Sequence, residues 1–339
     1  MGDDSFLALK NPNYDSCYKL FISGVSDFLN IISALVFPVG IILLGCFTRR
    51  FGWFRTEADA SLATLTIRLL YPCFILRHLV GHEALREPTI LALAPIAGFL
   101  AIVVGFGFSL LVARAIGLSS KKCKSFTFTA GIFNYGFFAF PVGQALFGEA
   151  FVGKLIIFNL GVEIAIWSVG VMLLIGGGPS WRRLVNPPAI AISLAFLLSF
   201  VGGREGMPSL IFEIVDALAS CAIPVGLLLI GGSVWDLLRE KKGDAGLRVA
   251  AGAGVVRLMF LPALFMAIVA LASFPNDLLW LRQVLVVQAA MPAGVFAIVI
   301  VKSYECDTEI ALRVIIATFA GCLITMPFWL SVGIKILSP

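Results

Sequence analysis

Charge is scarce in this sequence. Only 13% of its 339 residues are Asp, Glu, Lys or Arg, where a soluble domain carries about a quarter. So few charges cannot cover a water-facing surface of this size. Histidine is scarcer, at two residues. His78 and His82 have the i, i+4 spacing that can hold a metal, but no third ligand is fixed beside them, so no metal or other cofactor is expected. The seven cysteines, Cys17, Cys46, Cys73, Cys123, Cys221, Cys306 and Cys322, are isolated. None forms CxxC, so neither a zinc site nor a disulfide framework is indicated. HExxH, GxSxG and a mid-segment aspartate pair are all missing, which leaves an intramembrane enzyme without its motifs. The net charge of +5 forms no basic stripe with interleaved aromatics, so no nucleic-acid partner is expected. Residues 1–26 lack the basic n-region and small-residue cleavage site of a secretory signal and read as a polar N-terminal leader.

What is abundant is apolar. Hydrophobic residues make up 60% of the chain and the mean hydropathy is +1.00. A helix needs about 20 mainly apolar residues to cross the hydrocarbon of a bilayer. Ten such segments are expected, at 28–48, 58–80, 89–115, 124–147, 151–175, 186–202, 209–234, 247–272, 280–302 and 308–336. This is an all-α membrane protein whose first partner is the lipid bilayer. Loops 1–2, 3–4, 5–6, 7–8 and 9–10 hold 14 Lys and Arg, among them Arg49, Arg50, Arg55, Lys121, Lys122, Arg182 and Arg183; the opposite face, termini included, holds 8. The excess marks the cytoplasmic face. Both termini are therefore expected on the non-cytoplasmic side of a cell (inner or plasma) membrane, crossed many times.

The prolines repeat. Pro72 and Pro224 are 152 residues apart, and Pro141 and Pro292 are 151 apart. Two matched pairs at nearly one offset predict five helices plus five. Because five is odd, the second half would enter the membrane inverted. The expected divisions are 27–175 for the first repeat, a linker at 176–188 and 189–339 for the second.

Proline within a helix removes a backbone hydrogen bond at a cost of about 3 kcal/mol or more. In lipid such breaks persist where they face protein or a wet cavity. Segments four and nine are expected to break near Pro141 and Pro292, and paired breaks of this kind point to a transporter site near the midplane. Half-helix N-termini there suit an anion. Asn134, Gln144 and Gln288 lie beside the breaks and can bind a carboxylate or an ion without burying a charge; the competing reading is plain interhelical bonding. Glu163 and Arg257 fall deep in segments five and eight. An ionisable residue at that depth is a functional candidate: Glu163 for a coupling proton, Arg257 for balancing an anionic substrate. The competing reading pairs them with each other or with backbone.

The stretches FNYGFFAFPVGQALFG, NPP at the start of segment six, IPVGLLLIGGSV, VVRLMFLPAL and VVQAAMPAG resemble, in order and spacing, the auxin efflux carrier family, over roughly residues 30–336. The resemblance implies a ten-helix inverted repeat with a scaffold part and a transport part, whose broken helices four and nine cross at the prolines. It implies export or exchange of small organic anions, auxin in plants and dicarboxylates such as malate or malonate in bacteria. It places Asn134, Pro141 and Pro292 in the crossover motifs and implies a homodimer through the scaffold. With no large hydrophilic loop between its halves, the chain looks like a compact, bacterial-style member. The alternative on the same architecture is a sodium-coupled bile-acid-type symporter or a sodium/proton exchanger. Segments four and nine have no acidic residue in their apolar parts, which counts against the exchanger. Coupling by a proton or by sodium is left open.

Overall fold

The computed structural model describes residues 12–176, 187–206, 208–239, 246–272 and 274–337; most of the expected linker lies outside them. Among the described residues the chain is helical, and the one β-type contact is an isolated antiparallel bridge between Phe133 and Ala293. Helix is what an apolar chain must adopt in lipid, where each backbone N–H and C=O has to be satisfied within the segment. Seven helical runs among the described residues are long and apolar enough to cross a bilayer: Ile31–Arg50, Thr56–Leu79, Pro88–Ala115, Glu149–Ile175, Ser209–Asp236, Gly246–Leu271 and Thr308–Leu337. They correspond to seven of the ten expected segments. The first lies within α1 (Pro12–Arg50), which starts well before the apolar stretch.

The other three expected segments are helical but shorter. Segment four is α5 (Ser120–Gly131) and α6 (Ala139–Phe147), parted at 132–138. Segment nine is α13 (Leu279–Ala290) and α14 (Ala297–Ser303), parted at 291–296. The described part of segment six is α9 (Pro187–Phe200), whose 14 residues rise roughly 21 Å.

Three of the long runs contain a π-helical stretch, a form that often marks functional sites. Thr66–Leu70 joins α2 (Asp59–Leu65) to α3 (Tyr71–Leu79). Ile166–Gly170 joins α7 (Glu149–Ala165) to α8 (Val171–Ile175). Val255–Phe260 joins α11 (Gly246–Gly254) to α12 (Leu261–Leu271). The first and last sit just ahead of Pro72 and Pro262. Pro262 has no N–H to offer the Leu258 carbonyl four residues back, and the indole Nε1 of Trp329 donates to that oxygen instead, at 2.8 Å.

The helices pack in two groups. One holds α1, α3, α9 and α10 (Ser209–Arg239); the other holds α4 (Pro88–Ala115), α5, α7, α11 to α13 and α15 (Thr308–Leu337). Glycine permits the closest approaches: a Cβ on Gly161 would meet the Pro95 carbonyl of α4, and one on Gly231 the Ile42 carbonyl of α1. Small residues let membrane helices approach in this way. The pairings also give direction. Along α4, Pro95 faces Gly161 and Phe106 faces Gly170, so α4 and α7–α8 run parallel. Gly246 faces Arg313 and Leu258 faces Gly321, so α11–α12 and α15 run parallel as well.

At the end where α1 and α10 finish together, Arg49 pairs with Asp59 and lies 3.4 Å from Asp236, with its guanidinium 4.3 Å over the Phe54 ring. The exposed rings of Phe47, Phe51 and Trp53 cluster at this end. Aromatic and basic residues together are the usual dress of a membrane–water boundary.

Candidate functional site

The two interruptions meet. Within 132–138 and 291–296 the chain leaves helix and its N–H and C=O groups need partners. They find them in each other: Asn134 N–H donates to the Pro292 carbonyl at 2.8 Å, and Gly294 N–H to the Ile132 carbonyl at 2.9 Å. These are the bonds around the Phe133–Ala293 bridge, where the two broken helices cross. Thr318 of α15 supports the crossing, its Oγ1 accepting from Ala293 N–H at 3.2 Å.

The crossing is buried and polar. Asn134 sits in the first break, and its Nδ2 is buried without a hydrogen-bond partner among the described residues. Pro292 lies in the second break. Gln288, fully buried in the last turn of α13, donates from Nε2 to Asn159 Oδ1 at 3.1 Å, while its own Oε1 has no partner among the described residues. Asn159 passes the contact on, donating from Nδ2 to the Tyr135 carbonyl at 2.8 Å. One amide thus joins α7 to both broken segments.

Glu163 is on the same face of α7 as Asn159, one turn on. Its carboxylate accepts from the Tyr135 hydroxyl at 2.6 Å and from Trp167 Nε1 at 2.8 Å. Tyr71 of α3 lies beside both Glu163 and Asn159. Arg257 meets the first break at Phe133. It is 1% exposed, its guanidinium stands 5.2 Å from the centre of the Phe133 ring, and none of its three nitrogens has a hydrogen-bond partner among the described residues. Burying a charge without a partner costs several kcal/mol, of which a desolvated cation–π contact returns about 2. Glu163 and Arg257 are not bonded to each other.

Pro141 and Gln144 are placed differently. The break precedes Pro141, which lies in the first turn of α6, where a missing N–H is harmless. Gln144 is further along α6 and bonds Glu149 Oε1 at 2.9 Å, away from the crossing. The second half-helices also spend their first N–H groups locally: Phe140 N–H on the Gly136 carbonyl, Ala297 N–H on Gly294 and Ile298 N–H on Val295. What reaches the crossing from these helix ends is their dipole field.

Tyr135, Asn159, Trp167, Phe133 and Thr318 are at this site without having been singled out from the sequence. One signal was legible: Asn159, Glu163 and Trp167 recur every fourth residue, a polar stripe on an otherwise apolar helix. His78, on α3, lies with Nε2 3.5 Å from Glu149 Oε2, and His82 Nδ1 accepts from Ala84 N–H; they do not converge on a shared ligand. Among the described residues no group of three or more His, Cys, Asp or Glu could hold a metal ion.

Comparison with known proteins matches this chain to membrane transport proteins. A family model described as "Membrane transport protein" covers residues 30–180 and 172–330. A protein of Methanothermobacter thermautotrophicus named "Uncharacterized transporter" is 26% identical over 88% of this chain and 96% of its own length. A likewise uncharacterized transporter of Methanocaldococcus jannaschii is 24% identical over 85% of this chain and 94% of its own. "Auxin efflux carrier component 2" of Oryza sativa subsp. japonica is 29% identical over 43% of this chain and 22% of its own. The protein crosses the membrane several times through apolar helices, and it belongs to the membrane transport protein family that includes the auxin efflux carriers.

Proposed function

We propose that the chain is a secondary active transporter that exports or exchanges small organic anions, carboxylates such as auxin-like acids, malate or malonate, by alternating access at the crossing of its two broken helices. The observation that carries this reading is the buried guanidinium of Arg257 at that crossing, without a hydrogen-bond partner among the described residues. An unpaired cation in a low-dielectric interior is costly, and an anion arriving beside it recovers that cost. The unpaired Nδ2 of Asn134 adds a donor for a carboxylate oxygen, and the name of the plant relative, an auxin efflux carrier, agrees with an acid as cargo.

The reading includes ten crossings arranged as a 5+5 inverted repeat. Parallel packing of α4 with α7–α8 supports it, because the chain must return across the membrane between them, through α5, the break and α6. The parallel pair α11–α12 and α15 asks the same of α13 and α14. Each break then lies partway across the membrane, where a carrier's site belongs. The group containing α1 and α10 would be the scaffold against which the other group rocks. Both termini would face away from the cytoplasm, and two copies would pair through the scaffold.

The test is uptake of radiolabelled malate, malonate and indole-3-acetate into proteoliposomes, with and without a pH or sodium gradient. Saturable uptake of one acid that is lost in Asn134→Ala supports the proposal. Exchange of sodium or protons with no acid moved would turn the assignment to a cation carrier.

A further inference from the structure

Among the described residues two side chains of opposite charge, Glu163 and Arg257, flank the crossing. The sequence carries no other Asp, Glu, Lys or Arg in 155–175, 249–271, 283–301 or 314–334, nor in 125–147 or 88–113. The groups that face Glu163 are the Tyr135 hydroxyl from the first break, the Trp167 indole and Asn159 from its own helix, and Tyr71 from α3. Arg257 faces the ring of Phe133. The site therefore holds one positive and at most one negative charge of its own.

We infer that Glu163 takes up one proton with each anion bound, so that the crossing has the same net charge empty and loaded with a monocarboxylate. This rests on the anion-carrier reading and deepens it by assigning the coupling. In the empty carrier the Glu163 carboxylate offsets Arg257. When the substrate carboxylate arrives, a second negative charge in a dry interior is costly; Glu163 then crosses as the neutral acid. The proton is taken from water on the side to which the site is open and is released to water on the opposite side. It adds to Oε1. Oε2 is held by Trp167 Nε1, which can only donate. The Tyr135 hydroxyl, donor to the carboxylate, turns to accept from the new carboxyl O–H. Tyr135 is part of the crossing, so this reversal occurs on the element that moves. The resulting activity is proton symport with the acid.

The experiment uses full-length protein in liposomes with a trapped pH dye and radiolabelled malonate, malate and indole-3-acetate, each flux corrected by protein-free vesicles. The ratio of protons to acid is read for wild type and for Glu163→Gln. The amide keeps both contacts, accepting from Trp167 and donating to Tyr135, and stands for the permanently neutral form. The expected result is a ratio lower by one in the variant for the same acid, with exchange of labelled for unlabelled acid continuing. An unchanged ratio overturns the coupling. So does loss of exchange in the variant alone, which would place Glu163 in acid binding or in the fold. Wild type gives a further check that no variant enters: a potential set by potassium and valinomycin should leave indole-3-acetate uptake unchanged, and acceleration by voltage overturns the neutral cycle. If wild type exchanges none of the acids, the anion-carrier reading itself falls and the coupling falls with it.

Discussion

Replacing Arg257 with methionine should make this protein more stable and inactive at once. The guanidinium is 1% exposed and makes no hydrogen bond among the described residues, so the substitution removes no bond within them. It removes a desolvated charge and leaves an unbranched apolar side chain of similar reach against Phe133. Exchanging buried ionic groups for apolar ones is commonly stabilising, by about 1–4 kcal/mol. The lost cation–π contact takes back up to about 2 kcal/mol; from the middle of the first range, about 2.5 kcal/mol, that leaves a net gain of roughly 0.5–2.5 kcal/mol. In a chain of 150–250 residues 1 kcal/mol moves Tm by about 2–4 °C, and by less in a longer one; a rise of a few degrees is expected. The assay is thermal unfolding in detergent beside acid uptake in liposomes. A lowered Tm would refute the reasoning, because it would mean that the guanidinium is bonded into the fold. Unimpaired uptake would refute its role with the anion.

Further substitutions test other parts of the same account. Trp329→Phe removes the donor to the Leu258 carbonyl and should cost about 1–3 kcal/mol; Pro262→Ala restores a backbone N–H there, so in that background the same substitution should cost measurably less in thermal unfolding. Gly161→Leu forces a side chain into the Pro95 carbonyl and should abolish folded protein on size-exclusion chromatography, whereas Gly40→Leu, where a Cβ meets nothing within 4 Å, should elute as wild type. His82 lies between helices, and its burial lowers its pKa below the usual 6.5. The unfolded chain then binds the proton first, so this part of the stability is present above pH 6.5 and is lost as pH falls through the unfolded and then the lower folded pKa; Tm should fall between pH 7 and 5, and less steeply in His82→Gln.

Apolar length was enough to locate the helices, because in lipid a run such as 89–115 has no alternative to helix, and α4 spans Pro88–Ala115. The prolines pointed to the right segments but not always to the right residues. Pro292 lies in its break, whereas Pro141 follows one, since proline is acceptable in a first turn and it is 132–138 that leaves helix. The pairing between the breaks could not be read, because it is made by backbone atoms, which every residue carries. Nor could the π-helical stretches, which differ from α-helix by one residue in each hydrogen-bonded loop and have no compositional mark. Glu163 and Arg257 stood out by charge alone, but their separate partners, Tyr135 with Trp167 and Phe133, come from packing between segments far apart in sequence.

The joint at the crossing has a consequence for divergence. Two main-chain hydrogen bonds, from Asn134 N–H and from Gly294 N–H, tie the interruptions together, and both are made by backbone atoms; position 294 alone favours glycine, because a Cβ there would come within 3.1 Å of the Phe133 carbonyl. On the proposed reading of the crossing as the carrier's site, substitutions at positions such as 133, 134 and 293 would alter the side chains that meet the cargo while the main-chain joint beneath them is inherited intact, so selectivity would drift without the joint having to be rebuilt.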